Sequence, residues 1–168
     1  MDTKSGDDTP VKTCSDAAAL TEDNIRPYEW KSFLWIKASC KSAETYLDAV
    51  DARKSFLRGI DFEDLIADLP SETAPHVEPT PPPSGGTISR QFGSYSSTKL
   101  TETKIETEYD GYKVFYTNAA LRDINADGVE DMLILVDANI KEGSWGITQV
   151  IAIYKLSATD PVQVLWTY

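Results

Sequence analysis

The sequence predicts an α+β protein, with N-terminal helices followed by a C-terminal antiparallel β-meander. Three observations carry that reading. Apolar residues recur at three-to-four spacing between about 27 and 58, a proline-rich run fills 70–86, and beyond Thr87 short alternating stretches are separated by turn residues. The expected organisation is a disordered tail over 1–12, a helical region over 13–69, a Pro-rich linker over 70–86 and an antiparallel β domain over 87–168.

Residues 1–12 are polar, carry a proline and show no apolar period. Thr13-Cys14-Ser15-Asp16 then leads into Ala17–Leu20 as a short capped helix. Asp23 and Asn24 offer caps for the next element, and Pro27 suits a first helical turn. Over 27–58 the spacing places Ile36, Cys40, Ala43, Leu47 and Val50 on one buried face, extended by Tyr46, Phe56 and Leu57. Its start, from Tyr28 through Trp30 and Phe33 to Trp35, is apolar on more than one side. That pattern fits a helix packed on two neighbours, or an aromatic face for a partner. Gly59 stops the helix, Asp61 caps a short one over 62–69, and Pro70 ends it.

The run at 70–86 cannot enter a helix or sheet interior and reads as a semi-rigid spacer. After it, 101–108 alternates as an exposed strand, and Asp110-Gly111 marks a two-residue hairpin turn into 112–117. Met132–Val136, Ile147–Leu156 and Val162–Trp166 complete five expected strands, with turns at 143–146 and 158–161. Helices from the N-terminal half are expected to cover one face of this sheet.

The nonapeptide Asp123-Ile-Asn125-Ala-Asp127-Gly128-Val129-Glu130-Asp131 carries the most specific chemistry. Side-chain oxygens stand at loop positions one, three, five and nine, and Gly128 stands at six. Calcium, a hard cation, takes six to eight oxygens, and alternating Asp and Asn in a tight turn supply them. An EF-hand places a bidentate Glu at position twelve and a helix after it; here position twelve is Ile134, inside the apolar run Met132–Val136. The pattern Asp-x-Asn-x-Asp-Gly-x-x-Asp before a buried strand resembles the FG-GAP/VCBS calcium loop of propeller blades and many bacterial secreted proteins. That resemblance implies calcium as cofactor, held by the side chains of Asp123, Asn125, Asp127 and Asp131 and the carbonyl of Val129. It covers about a dozen residues in one copy, too few for a propeller of at least four blades. The competing reading is an Asx-rich turn that binds no metal.

Composition narrows the function classes. A net charge of -11 argues against nucleic acid and anionic membrane surfaces, and no stretch is apolar for long enough to span a bilayer. The first ten residues lack the apolar segment of a signal peptide; with the calcium motif, they read as the mature N-terminus of a periplasmic or extracellular protein. In that setting Cys14 and Cys40 pair and close a loop of about 26 residues; in cytosol they remain buried thiols. The only histidine, His76, lies in the Pro-rich run. There is no nucleophile elbow, phosphate loop or His/carboxylate triad, so the chain is not expected to be an enzyme. Pairs such as Glu63/Asp64 and Glu130/Asp131 read as a solvated acidic face rather than as acid–base catalysts. The expected role is recognition of a protein partner, basic in one version, with the chain acting as inhibitor or immunity protein. The alternatives are a carbohydrate-binding module using Tyr112, Trp145 and Trp166, and a hydrolase.

Overall fold

The computed structural model describes residues 1, 9–76, 84–143 and 146–168. Most of the tail (2–8), the centre of the Pro-rich run (77–83) and Ser144-Trp145 lie outside the described residues. Among the described residues the architecture is α+β, with a six-stranded antiparallel sheet in sequential order. Its strands are β1 (Ser96–Thr101), β2 (Lys104–Tyr109), β3 (Tyr112–Arg122), β4 (Asp131–Ile140), β5 (Gly146–Tyr154) and β6 (Gln163–Thr167).

Four helices accompany the sheet: α1 (Cys14–Ala19), α2 (Trp30–Asp48), α3 (Phe62–Ala67) and α4 (Ile88–Gln91). Thr13 caps α1 in a reciprocal box with Asp16, and Asp61 caps α3 by accepting from the Glu63 amide. A Cys14–Cys40 disulfide, Cα atoms 5.4 Å apart, ties α1 to α2. Leu20, Ile25 and Phe33 fill the space between them.

The helices lie on both faces of the sheet, rather than on one as the sequence suggested. Ala38 of α2 packs on Leu133, Val150 and Ala152. Across the sheet, Leu57, Phe62, Leu65, Ile66, Leu69 and Ile88 close over Ile134, Val136, Ile151 and Ile153. Because side chains alternate along a strand, β4 and β5 bury both of their faces. Near-continuous apolar runs such as Met132–Val136 are the consequence.

Several element limits differ from the sequence reading. Helix α2 ends at Asp48, and the face expected from Ile36, Cys40, Ala43, Leu47 and Val50 is not the buried one: Leu47 is 78% exposed and Val50 48%. Phe33 and Ala38 are the buried positions, because the helix is held between α1 and the sheet and so blurs a single stripe. Helix α3 stops at Ala67, two residues short of the expected end. Strand β1 went unread because Ser96-Ser-Thr-Lys carries no apolar alternation, and the strand expected from 101 begins at Lys104. At Asp110-Gly111 the φ values of 48° and 78° give the left-handed pair that a tight hairpin needs, and Tyr109 faces Tyr112 across it.

The Pro-rich run leaves and rejoins the fold at one point. Pro70 bridges Thr87, and the Ser71 amide donates to the Gly86 carbonyl at 2.9 Å. Ser71, Thr73 and Ala74 are buried in a 3-10 turn, and Gln149 of β5 donates to the Thr73 carbonyl at 2.9 Å. No helix among the described residues is long and apolar enough to cross a membrane.

Candidate functional site

The nonapeptide singled out by its sequence is the connection between β3 and β4, closed by the facing pair Arg122 and Asp131. Its backbone curls through two left-handed positions, Ala126 at φ 62° and Gly128 at φ 88°. Glycine adopts that region freely; alanine does so only when its surroundings hold it there. Short polar side chains do the holding. Asp123 accepts from the Asp127 amide at 3.1 Å and from the Gly128 amide at 2.8 Å. Asn125 accepts from the Asp127 amide at 3.0 Å, and Asp127 accepts from the Val129 amide at 2.7 Å.

Asp131 spans the loop from its last position to its second. Oδ2 accepts from the Ile124 amide at 2.8 Å, whereas Oδ1 is buried with no hydrogen-bond partner. Burial is the main reason that the Asp131 carboxyl is pushed up to about 6. The charges of Asp127 and Asp123 add to the rise, and the amides of Ile124 and Asn125 oppose it. Asp123 and Asp131 are buried, whereas Asn125 and Asp127 are exposed and Val129 is intermediate. Among the described residues, no group of three or more His, Cys, Asp or Glu side chains is gathered as a metal site.

A second segment, absent from the sequence reading, straps the loop from outside. After α2 the chain runs extended over 49–54. Val50 and Asp123 exchange amide–carbonyl bonds at 3.0 and 3.1 Å. The amides of Arg53 and Lys54 both donate to the Gly128 carbonyl, at 2.9 and 3.1 Å, and the Glu130 amide donates to the Lys54 carbonyl at 2.8 Å. Both ends of the nonapeptide are therefore held by a strand-like strap.

The Glu130 side chain bonds Arg58, where those of Asp123, Asn125, Asp127 and Asp131 bond amides of the loop. Arg58 donates to Glu130 from Nε at 3.1 and 2.9 Å and from Nη2 at 2.6 Å. Burial raises the Glu130 carboxyl, but the hydrogen bonds from Arg58 and Ser55 and the Arg58 charge together outweigh it and hold it below the usual carboxylate range. The available signal in the sequence was Arg53-Lys54 followed by Arg58, three basic residues within six positions.

Of the aromatic residues considered for carbohydrate, Trp145 lies outside the described residues, and Tyr112 and Trp166 do not share a surface. Tyr112 packs against the core on the α3 face, and Trp166 packs on the α2 face, where Lys41 Nζ stands 5.5 Å from its ring centroid. A cleft on α2 is lined by Lys31, Ser32, Trp35 and Ile36, and Trp35 is half-exposed. In comparison with known proteins, no family model, curated protein or solved structure matches this chain.

Proposed function

We propose that this chain is a calcium-binding exported protein that acts by protein–protein recognition, as an inhibitor or immunity protein. The observation that carries the calcium half is the buried, unpartnered Oδ1 of Asp131, inside a loop where Asp123 and Asp127 add negative charge. A buried carboxylate oxygen without a donor is costly, and a cation supplies the missing partner. The donor set is all oxygen: the side chains of Asp123, Asn125, Asp127 and Asp131 and the carbonyl of Val129, which suits a hard ion such as calcium. Calcium would neutralise the carboxylates; the chain's own residues would orient them through the Asx bonds and hold the loop against the 50–54 strap.

The disulfide suits an oxidising compartment, which supports export. Recognition is supported by the lack of a nucleophile–base arrangement in the sequence and by the exposed aromatic residues Tyr28 and Trp35.

Calorimetry and melting curves in EDTA and in calcium test this reading. An extracellular-type site has a dissociation constant of roughly 0.1–1 mM. At about 1 mM calcium, a 0.1 mM site stabilises by roughly 1.4 kcal/mol, which raises the melting temperature by a few degrees at this size. Magnesium should do much less, because it requires tight octahedral geometry. Superimposable curves with no binding heat overturn the calcium half. Retention on a glycan array, with no protein captured from envelope extract, overturns the recognition half.

A further inference from the structure

The strap that closes the loop also carries a group of positive charges. Arg53, Lys54 and Arg58 line a cleft of about 150 Å³ together with Ala52, Ser55 and Glu130. Arg58 is committed to Glu130. Arg53 and Lys54 are exposed and have neither an ion pair nor a side-chain hydrogen bond among the described residues. Lys31, Lys99, Lys113, Arg122 and Lys141 each sit on a carboxylate, and other described cations such as Lys12 and Arg90 do not, but Arg53 and Lys54 stand side by side and share one cleft with Arg58. The cleft shares Glu130 with the loop, and the amides of Arg53 and Lys54 converge on the Gly128 carbonyl. Arg53 Cδ lies 3.9 Å from where a Cβ on Gly128 would stand.

We propose that this cleft is an anion site for a carboxylate presented by an acidic segment of a protein partner, and that calcium in the adjoining loop strengthens it. The calcium clause rests on the function proposed above. A carboxylate suits the cleft in size and charge. Arg and Lys donors without acceptors favour a compact anion, and guanidinium matches carboxylate geometry. A long polyanion fits less well. Beyond about 8 Å, charges are largely screened at physiological ionic strength, so a single carboxylate senses the local cations. Nucleic acid or an anionic bilayer would extend over the acidic remainder of the surface. Around the strap, the carboxylates of Asp123, Asp127, Glu130 and Asp131 outnumber the three cations. A bound dication reverses that local balance and makes the cleft net positive.

The test is a nitrogen-15 NMR titration of the full chain with N-acetyl tetraglutamate amide, in EDTA and at 1 mM free calcium. Saturable shifts confined to residues 52–58 are expected, with binding roughly three- to fivefold tighter in calcium. R53A/K54A should weaken binding about tenfold or more while keeping a folded spectrum, and R53K should restore most of it. K99A/K113A, which removes cations elsewhere, should leave it unchanged. Binding that survives R53A/K54A overturns the site. Stronger saturation of the same residues by oligo-dT or by phosphatidylglycerol vesicles overturns the acidic-segment assignment. Normal calcium heat without any tetraglutamate shifts overturns this proposal and leaves the calcium reading standing. Peptide shifts lost in R53A/K54A, in a protein that gives no calcium heat, support the cleft and overturn the calcium clause.

Discussion

Arg58 grips Glu130 from 72 positions away in sequence, donating to both carboxylate oxygens from a guanidinium that is itself largely in solvent. The pair fixes the end of the strap beside the β3–β4 loop. Arg58→Ala should therefore lower stability by leaving the Glu130 carboxylate buried without a charged donor. Glu130→Ala should cost less, because the buried charge is removed with its partner. Urea unfolding checks the order. Because Glu130's carboxyl is held low, its contribution is present above the ordinary carboxylate range and lost as pH falls below it. Neither variant should abolish the calcium response, since the Glu130 carboxylate is taken by Arg58 and is not among the proposed ligands.

Asp131 has the opposite sign. Its carboxyl is raised to about 6, so in the metal-free protein it disfavours the folded state above about pH 6 and is relieved as it protonates between about 6 and 4. Asp131→Asn should raise the melting temperature in EDTA at pH 7.5, with the gain roughly halved by about pH 5 and nearly gone by about pH 4. The same variant should lose the calcium response. Equal effects of the substitution at about pH 7.5 and about pH 4 would show that burial of the charge is not what Asp131 contributes.

Asp127→Ala separates a calcium ligand from an Asx-turn residue. As a turn residue alone, Asp127 supplies one acceptor to the Val129 amide, an exposed interaction worth about 1 kcal/mol. If it also ligates calcium, D127A should erase the calcium-induced rise in melting temperature, beyond its modest cost in EDTA. Paired melting curves in EDTA and calcium distinguish the two outcomes.

Reduction of Cys14–Cys40 should destabilise by about 3 kcal/mol on a chain-entropy argument, given a sequence separation of 26. The loss should fall first on α1 and its contacts at Leu20, Ile25 and Phe33, because α2 retains its own packing on β5. Hydrogen exchange with and without reductant reads this directly. Loss of protection in β4 and β5 at the same rate as in α1 would contradict it.

By composition, 71–86 is the expected site of internal proteolysis, although Ser71, Thr73 and Ala74 at its start are buried and protected. Brief digestion should give two fragments of about half the chain each, and they should co-elute under native conditions. Their association follows from the core: α2 and α3 lie before the cut, and the sheet they cover on both faces lies after it. Fragments that separate would mean that the two halves are independent domains.

Much of the fold is written in local patterns. The change from helical to alternating spacing, the Asp110-Gly111 turn, the capping residues Thr13 and Asp61, and the apolar run Met132–Val136 act within a few residues and could be read directly. The nonapeptide was legible as a tight, oxygen-rich loop because Asx turns and a left-handed glycine are also local. Tertiary structure alone decided that helices cover both sheet faces, that α2 yields at Asp48 to an extended strap, and that Ser96–Thr101 forms an edge strand on β2 despite its polar sequence. It also brought Val50 to Asp123, Lys54 to Val129 and Arg58 to Glu130. Those pairings satisfy backbone groups and a buried charge only after distant segments meet, so no periodicity within either segment can encode them.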